Sequence, residues 1–128
     1  MSTPDQSIVR TADGNLLMAF YGHAADGHKR GTLYTTAFYT SPDGLAWTYA
    51  SRVDVTPAMV AEPHGAGEGP CEPSMVTLAD GRVLAAFRLS GGIPLWLAYS
   101  SDNGKTRVAE SFRRRLVYFI RDRPYKMY

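Results

Sequence analysis

Residues 68–88 read EGPCEPSMVTLADGRVLAAFR, and this stretch decides the fold of the chain. Residues 74–78 and 83–87 are predicted strands, and the Asp80-Gly81 pair between them predicts a two-residue type I′ turn with φ > 0 at both central positions. The hairpin brings Glu72, before the first strand, and Arg88, after the second, to the same end of a sheet. A carboxylate and a guanidinium placed there can either pair or share a ligand, and the sequence leaves both interpretations open.

The same pattern occurs twice in the chain. Residues 7–20, SIVRTADGNLLMAF, align without a gap with residues 74–87, SMVTLADGRVLAAF, at a constant offset of 67. Each copy is followed by a third predicted strand, at residues 32–40 and 94–99, and by a second Asp/Gly turn, SPDGLAW or SSDNGKT. Residues 48–53 are the fourth predicted strand of the first unit. Each unit is therefore predicted to be four short antiparallel strands, which is the composition of a β-propeller blade.

The composition favours an all-β domain of modest size. Of the 128 residues, 45% are hydrophobic and 20% charged, and twelve Gly and eight Pro favour tight turns. The predicted organisation is a first repeat at residues 1–54, a Gly/Pro-rich loop at 55–70, a second repeat at 71–106 and a basic tail at 107–128. A loop of 16 residues is typical of functional or disordered segments.

The charge is distributed unevenly along the chain. Residues 1–106 contain 7 basic and 10 acidic side chains, whereas residues 107–128 contain 7 basic and 2 acidic ones. The repeat pattern also ends at Arg107, which favours a truncated or shifted reading frame or a divergent terminus. The basic and aromatic residues of the tail are a pattern that can bind nucleic acid or an acidic surface. We expect no nucleic-acid partner for the chain.

The sequence does not indicate several kinds of functional site or targeting signal. The histidines have no zinc spacing, Cys71 has no second cysteine to pair with, and residues 65–69 lack the Lys-Ser/Thr of a phosphate loop. We expect no metal ion and no cofactor, and Glu68 has the pattern of an ordinary loop residue. No signal peptide and no apolar run long enough for a bilayer is found, so we expect no membrane partner, and the localisation stays unassigned.

The second turn of each unit resembles the Asp-box, S-x-D-x-G-x-T-W, of the bacterial neuraminidase repeat in sialidases and sialidase-like propellers. The matching residues are Ser41, Asp43, Gly44 and Trp47 in the first box, which is one residue short, and Ser100, Asp102, Gly104 and Thr106 in the second. The Ser and Asp side chains of such a box are expected to hydrogen-bond the turn backbone while the Trp packs beneath it, which is a structural role. The resemblance implies a partial sialidase-like six-bladed β-propeller, of which this chain covers about two blades.

Residues 72–88 also resemble the sialidase strand pair in which a Glu precedes V-x-L-x-D-G-R-x-L and an Arg follows it. The resemblance implies that Glu72 is the base that activates a tyrosine nucleophile, and that Arg88 is one of three arginines that hold the carboxylate of sialic acid. Asp26 sits where the family has its acid/base aspartate, although Glu72 follows too soon for that assignment. A neutral tyrosine avoids repulsion by the substrate carboxylate, and an arginine binds two carboxylate oxygens at once.

The family's tyrosine nucleophile, its third arginine and its R-I-P motif are not found in this chain. We therefore expect a fragment of a sialidase-like glycoside hydrolase, of the exo-α-sialidase type that removes terminal sialic acid from glycans, which is inactive alone and has a sialylated or related glycan as its partner. A non-catalytic glycan-binding or interaction propeller is the alternative, and a purely structural Glu72–Arg88 ion pair is a third interpretation. Two blades leave edges open, so we also expect self-association.

Overall fold

The computed structural model describes residues 7–23, 33–61, 65–89, 95–105 and, for the backbone, 108–111. Its strands are β1 (Ile8–Arg10), β2 (Leu16–Gly22), β3 (Thr35–Ser41), β4 (Thr48–Val53), β5 (Cys71–Thr77), β6 (Val83–Arg88), β7 (Trp96–Ser100) and β8 (Val108–Ser111). They form two antiparallel sheets with the strands in chain order, β1 to β4 in the first sheet and β5 to β8 in the second. Over the described residues, the chain is mostly β and forms two antiparallel four-stranded sheets, as the all-β prediction requires.

The last strand lies where no strand was predicted. The backbone of β8 pairs with β7, with Ala109 opposite Ala98, so the second sheet extends beyond residue 106. Four residues are too few for a recognisable alternation of polar and apolar side chains, which is why the sequence pattern ended earlier. Residues 116–120 of the tail, an apolar run whose pattern also allows a strand, lie outside the described residues.

The two hairpin turns are alike, but they are not of type I′. In the first, the Gly14 N–H donates to the Thr11 carbonyl at 3.0 Å and the Thr11 N–H donates to the Asn15 carbonyl at 2.8 Å. Both bonds recur 67 residues later, at 2.9 and 2.8 Å. The glycine of each turn has positive φ, +86° and +84°, and the aspartate before it does not. Each turn is therefore a three-residue loop, a type I turn closed by a left-handed glycine, and the I′ prediction was wrong because Asp-Gly suits both types.

The two sheets pack face to face and bury one side of each. Opposite residues of antiparallel strands point to the same side, so the register defines the faces. The inner faces, which form the core, contain Val9, Leu17, Ala19 and Phe38 from the first sheet and Met75, Ala85, Phe87 and Ala98 from the second. Phe38 and Phe87 meet edge to face, with 6.4 Å between ring centroids.

The described parts of the connection between the sheets, residues 54–61 and 65–70, are held by a helix cap and by contacts with the core. It contains the short helix α1 (Pro57–Val60), whose N-cap hydroxyl, on Thr56, accepts a hydrogen bond from the Met59 N–H at 3.2 Å. Met59 is fully buried in the core, and the buried Thr36 hydroxyl donates to the Pro70 carbonyl at 2.9 Å. Within the described ranges, no helix is long and apolar enough to cross a membrane.

Candidate functional site

Glu72 lies inside β5, at a β-bulge, and not ahead of the strand. The register of β5 against β6 shifts by one residue between Cys71 and Ser74, so Glu72 and Pro73 together oppose one residue of β6. Glu72 has φ +48°, in the left-handed region that residues with a side chain seldom adopt. Pro73 suits the bulge because it has no N–H to offer to the ladder. Bulges re-aim side chains, and here the re-aimed carboxylate meets Arg88.

Arg88 binds Glu72 through two parallel hydrogen bonds. Its Nε donates to Oε2 of Glu72 at 2.7 Å, and its Nη2 donates to Oε1 at 2.6 Å. The same Nη2 lies 3.0 Å from Oε2 of Glu68. All three side chains are between 35% and 51% exposed. The predicted meeting of Glu72 and Arg88 at the hairpin end thus takes the form of a fork-shaped ion pair that solvent can reach.

The pair determines the charge state of both residues. The hydrogen bonds from Arg88 hold the pKa of Glu72 below its usual value, and the bonds to Glu72 raise the pKa of Arg88. Both groups are therefore ionised at neutral pH. Because both oxygens of Glu72 accept from Arg88, the carboxylate is a weakened base that fixes the guanidinium. Glu72 occupies the edge formed by Nε and Nη2, so the edge formed by Nη1 and Nη2 is the one that can bind a second carboxylate.

Backbone contacts fix the position of Glu68 between the two sheets. The Glu68 N–H donates to the Leu89 carbonyl, and the Glu68 carbonyl accepts from the Tyr34 N–H, both at 2.7 Å. Gly69, with φ +85°, permits this approach, since a Cβ there would lie 2.4 Å from the Tyr34 carbonyl oxygen. Interpreting Glu68 as an ordinary loop residue missed its contact with Arg88. The signal was its position four residues before Glu72, in a loop that had to end beside β5.

Aromatic rings adjoin this loop on the side of the first sheet. The Tyr34 ring stacks on His23, with 4.6 Å between centroids and 26° between planes, and meets the Tyr21 ring edge-on at 5.3 Å. Since the Tyr34 backbone is bonded to Glu68, these rings belong to the same end of the structure as Arg88. Aromatic rings beside a few convergent polar groups are a common lining of small-molecule sites.

The first box folds as a side-chain-capped turn. The Ser41 hydroxyl accepts from the Gly44 N–H at 2.8 Å, and Oδ1 of Asp43 accepts from the next two backbone N–H groups of the turn, at 2.9 and 3.3 Å. The half-buried Trp47 donates its indole N–H to the Gly44 carbonyl at 3.1 Å. The hydrogen bonds that the Asp43 carboxylate accepts lower its pKa, and the largest effect comes from the backbone N–H of Leu45. The polar side chains of the box are thus engaged within the turn.

The second box repeats this arrangement with one more residue. The Ser100 hydroxyl accepts from the Gly104 N–H at 2.8 Å and donates to Oδ1 of Asp102 at 2.8 Å. The additional residue is Asn103, which adopts φ +61°, a conformation that asparagine tolerates better than most residues. Thr106 lies outside the described residues.

The remaining candidates divide into those outside and those inside the described ranges. Asp26 lies outside them, so its predicted acid/base role stays a prediction. Among the described residues, no group of three or more His, Cys, Asp or Glu side chains could hold a metal ion. The Cys71 thiol is fully buried and donates to the Arg88 carbonyl at 3.2 Å, and burial raises its pKa to about 11. A thiol of this kind is a packed side chain and a poor nucleophile.

No protein-family model matches this chain, and no curated protein matches its sequence significantly.

Proposed function

We propose that this chain is a two-blade part of a sialidase-like Asp-box β-propeller and contributes Arg88 to the binding of a sugar carboxylate. The repeated hairpin, the two stacked four-stranded sheets and the side-chain-capped boxes support the propeller. The observation that carries the site is the fork-shaped Glu72–Arg88 pair at the end of β6, which holds a guanidinium in one orientation while leaving it accessible.

The sugar carboxylate binds at the edge of Arg88 formed by Nη1 and Nη2. Glu68 now contacts this edge through one nitrogen only, with a side chain that is half exposed, so an incoming carboxylate displaces it at little cost. Glu72 stays on the other edge and keeps the guanidinium oriented. An arginine suits this role because its planar fork donates two bonds to one carboxylate and stays charged at any working pH.

In the complete active site, Glu72 is the base for a tyrosine nucleophile from another blade, in the exo-α-sialidase reaction. Tyrosine has a pKa near 10 in water and needs a carboxylate to accept its proton. Sharing Arg88 with the substrate weakens the hold on Glu72 and restores part of its basicity. The isolated chain therefore binds an acidic sugar without cleaving it, and the acid/base assignment of Asp26 belongs to the same proposal.

Binding is tested by titrating the chain with N-acetylneuraminic acid and with its methyl ester, followed by NMR. We expect Arg88→Lys to weaken binding of the acid about tenfold, because a point charge replaces a bidentate fork. Arg82→Lys is the matched control, since Arg82 also pairs with a carboxylate, that of Asp80, at 2.8 Å on the same hairpin. Equal binding of acid and ester, or equal effects of the two variants, would contradict the proposed site.

Catalysis is tested by the release of 4-methylumbelliferone from its sialoside. We expect the chain and its Glu72→Ala variant to give the same background rate. A rate that disappears in the Glu72→Ala variant would instead make the chain a hydrolase by itself.

A non-catalytic glycan-binding propeller is the second candidate. It is favoured by the full engagement of both Glu72 oxygens, together with the lowered pKa of that group. The melting temperature and the sugar binding of Glu72→Gln separate both candidates from a purely structural ion pair. If the pair is only structural, the variant should melt at a clearly lower temperature and its sugar binding should not change.

A further inference from the structure

The second sheet covers the inner face of the first sheet through close packing and hydrogen bonds. Leu17, on the inner face of the first sheet, is fully buried. Gly104 of the second box packs on it so closely that a Cβ there would lie 2.7 Å from the Leu17 side chain. Near the start of β1, the Ser7 hydroxyl accepts from the Met75 N–H at 2.8 Å and donates to the Met75 carbonyl at 3.3 Å.

The repeat offset of 67 maps this covered face onto an open one. Val9 and Leu17 correspond to Val76 and Leu84, whose side chains lie on the side of the second sheet that points away from the first. We call this side the outer face of the second sheet. Val76 is 48% exposed and Leu84 is partly exposed. The outer face of the second sheet is formed by Val76, Leu84, Ala86, Leu97 and Tyr99, of which Leu97 is buried.

The surface that would cover such a face is also present and partly exposed: Tyr49 is 54% exposed, whereas Met18 is buried. Met75 and Ala85, which pack on the first sheet, correspond to Ile8 and Met18 on the outer face of the first sheet. Ile8 is 48% exposed. This face is lined by Ile8, Met18, Phe20, Tyr39 and Tyr49, with ring centroids 5.9 Å apart for Phe20 and Tyr39 and 5.8 Å apart for Tyr39 and Tyr49. Exposed apolar patches of this kind mark interaction surfaces.

We propose that copies of this chain dock head to tail, with the outer face of the first sheet of one copy on the outer face of the second sheet of another. The docking repeats the contact between the two sheets within the chain. Gly44 of one copy takes the place of Gly104 and packs on Leu84 of the other. Ser74 takes the place of Ser7 and hydrogen-bonds the backbone of Ile8 in the other copy. The two patches differ, so the contact is heterologous and continues until a ring closes. This inference does not depend on the sugar site.

The test is the oligomeric state of the full chain and two charge variants, measured by sedimentation velocity over a range of concentrations. Ile8→Lys adds a charge to one face and Val76→Lys to the other, while Val60→Lys, at an exposed residue of α1 that belongs to neither sheet, is the control. We expect the wild type and the control to associate in a concentration-dependent way, and each face variant to sediment as a 14.1 kDa monomer. An equimolar mixture of the two face variants should form dimers and nothing larger, because each retains one intact face.

A monomeric wild type would overturn the proposal, as would an effect of only one of the two face variants or a mixture that stays monomeric. A second measurement gives a positive signal without charge changes. In a mixture of Ile8→Cys and Ser74→Cys chains under mild oxidation, we expect a disulfide-linked dimer on a denaturing gel without reductant, whereas either variant alone should give predominantly uncrosslinked chains on the same gel. Circular dichroism spectra identical to that of the wild type establish that the variants fold.

Discussion

Replacing Gly69 by alanine should destabilise the chain more than the same change at Gly65. Both glycines have positive φ, +85° and +67°, so alanine at either position carries left-handed strain of about 1–2 kcal/mol. They differ in their surroundings. A Cβ at Gly65 meets nothing within 4 Å, whereas a Cβ at Gly69 meets the Tyr34 carbonyl oxygen at 2.4 Å and its backbone nitrogen at 2.8 Å.

The additional cost at Gly69 comes from the hydrogen bonds that the loop must give up. Relieving the overlap moves the loop away from Tyr34 and breaks the bonds that Glu68 makes to Tyr34 and Leu89. At about 0.5–1.5 kcal/mol for each bond, the loss is about 2 kcal/mol beyond the strain. We therefore expect Gly65→Ala to lower the free energy of unfolding by about 1 kcal/mol and Gly69→Ala by about 3 kcal/mol.

Urea denaturation at one fixed protein concentration, followed by tryptophan fluorescence, measures both changes. The fixed concentration matters because self-association contributes to apparent stability. If the two variants differ by less than about 0.5 kcal/mol, a typical effect of a neutral surface change, the close approach of Gly69 to Tyr34 does not support the site.

Three further outcomes follow from the described contacts. Hydrogen bonds lower the pKa of four carboxyl groups, those of Asp13, Asp43, Glu72 and Asp80. The stability that these groups provide is present above the pKa values of the unfolded chain, 3.8 for Asp and 4.5 for Glu, and is lost as the pH falls below those values. The melting temperature should therefore drop on acidification below about pH 5, and less steeply in Asp43→Asn. Cys71, with a pKa of about 11 against an ordinary 9.0, should react with a disulfide reagent at least about 100-fold more slowly in the folded chain than in urea; equal rates would mean that the thiol is accessible. Trp47→Phe removes the indole bond to the Gly44 carbonyl and should cost about 1 kcal/mol in the same urea assay, and an unchanged midpoint would mean that this bond contributes nothing.

The parts of the fold that the sequence predicts are those set by local pattern. The Ala-Asp-Gly turns and their offset place β1, β2, β5 and β6, and they bring Glu72 and Arg88 to one end of the hairpin. The sequence does not predict features that depend on partners far away along the chain. The bulge at Glu72 requires a left-handed glutamate, which no residue preference indicates. The position of Glu68 is set by Tyr34 and Leu89, which are 34 and 21 residues away along the chain.

The similarity of the two hairpins also affects how the chain folds. Each hairpin forms from residues that are close in sequence, whereas Ser7 must find Met75 across 68 positions, so docking of the sheets is the slow and late event. Until then, each newly formed sheet exposes two apolar faces, and a neighbouring chain presents the same surfaces as the correct partner. During refolding, docking of the two sheets within one chain competes with docking of sheets from different chains. The yield of refolded protein should therefore fall as the protein concentration rises.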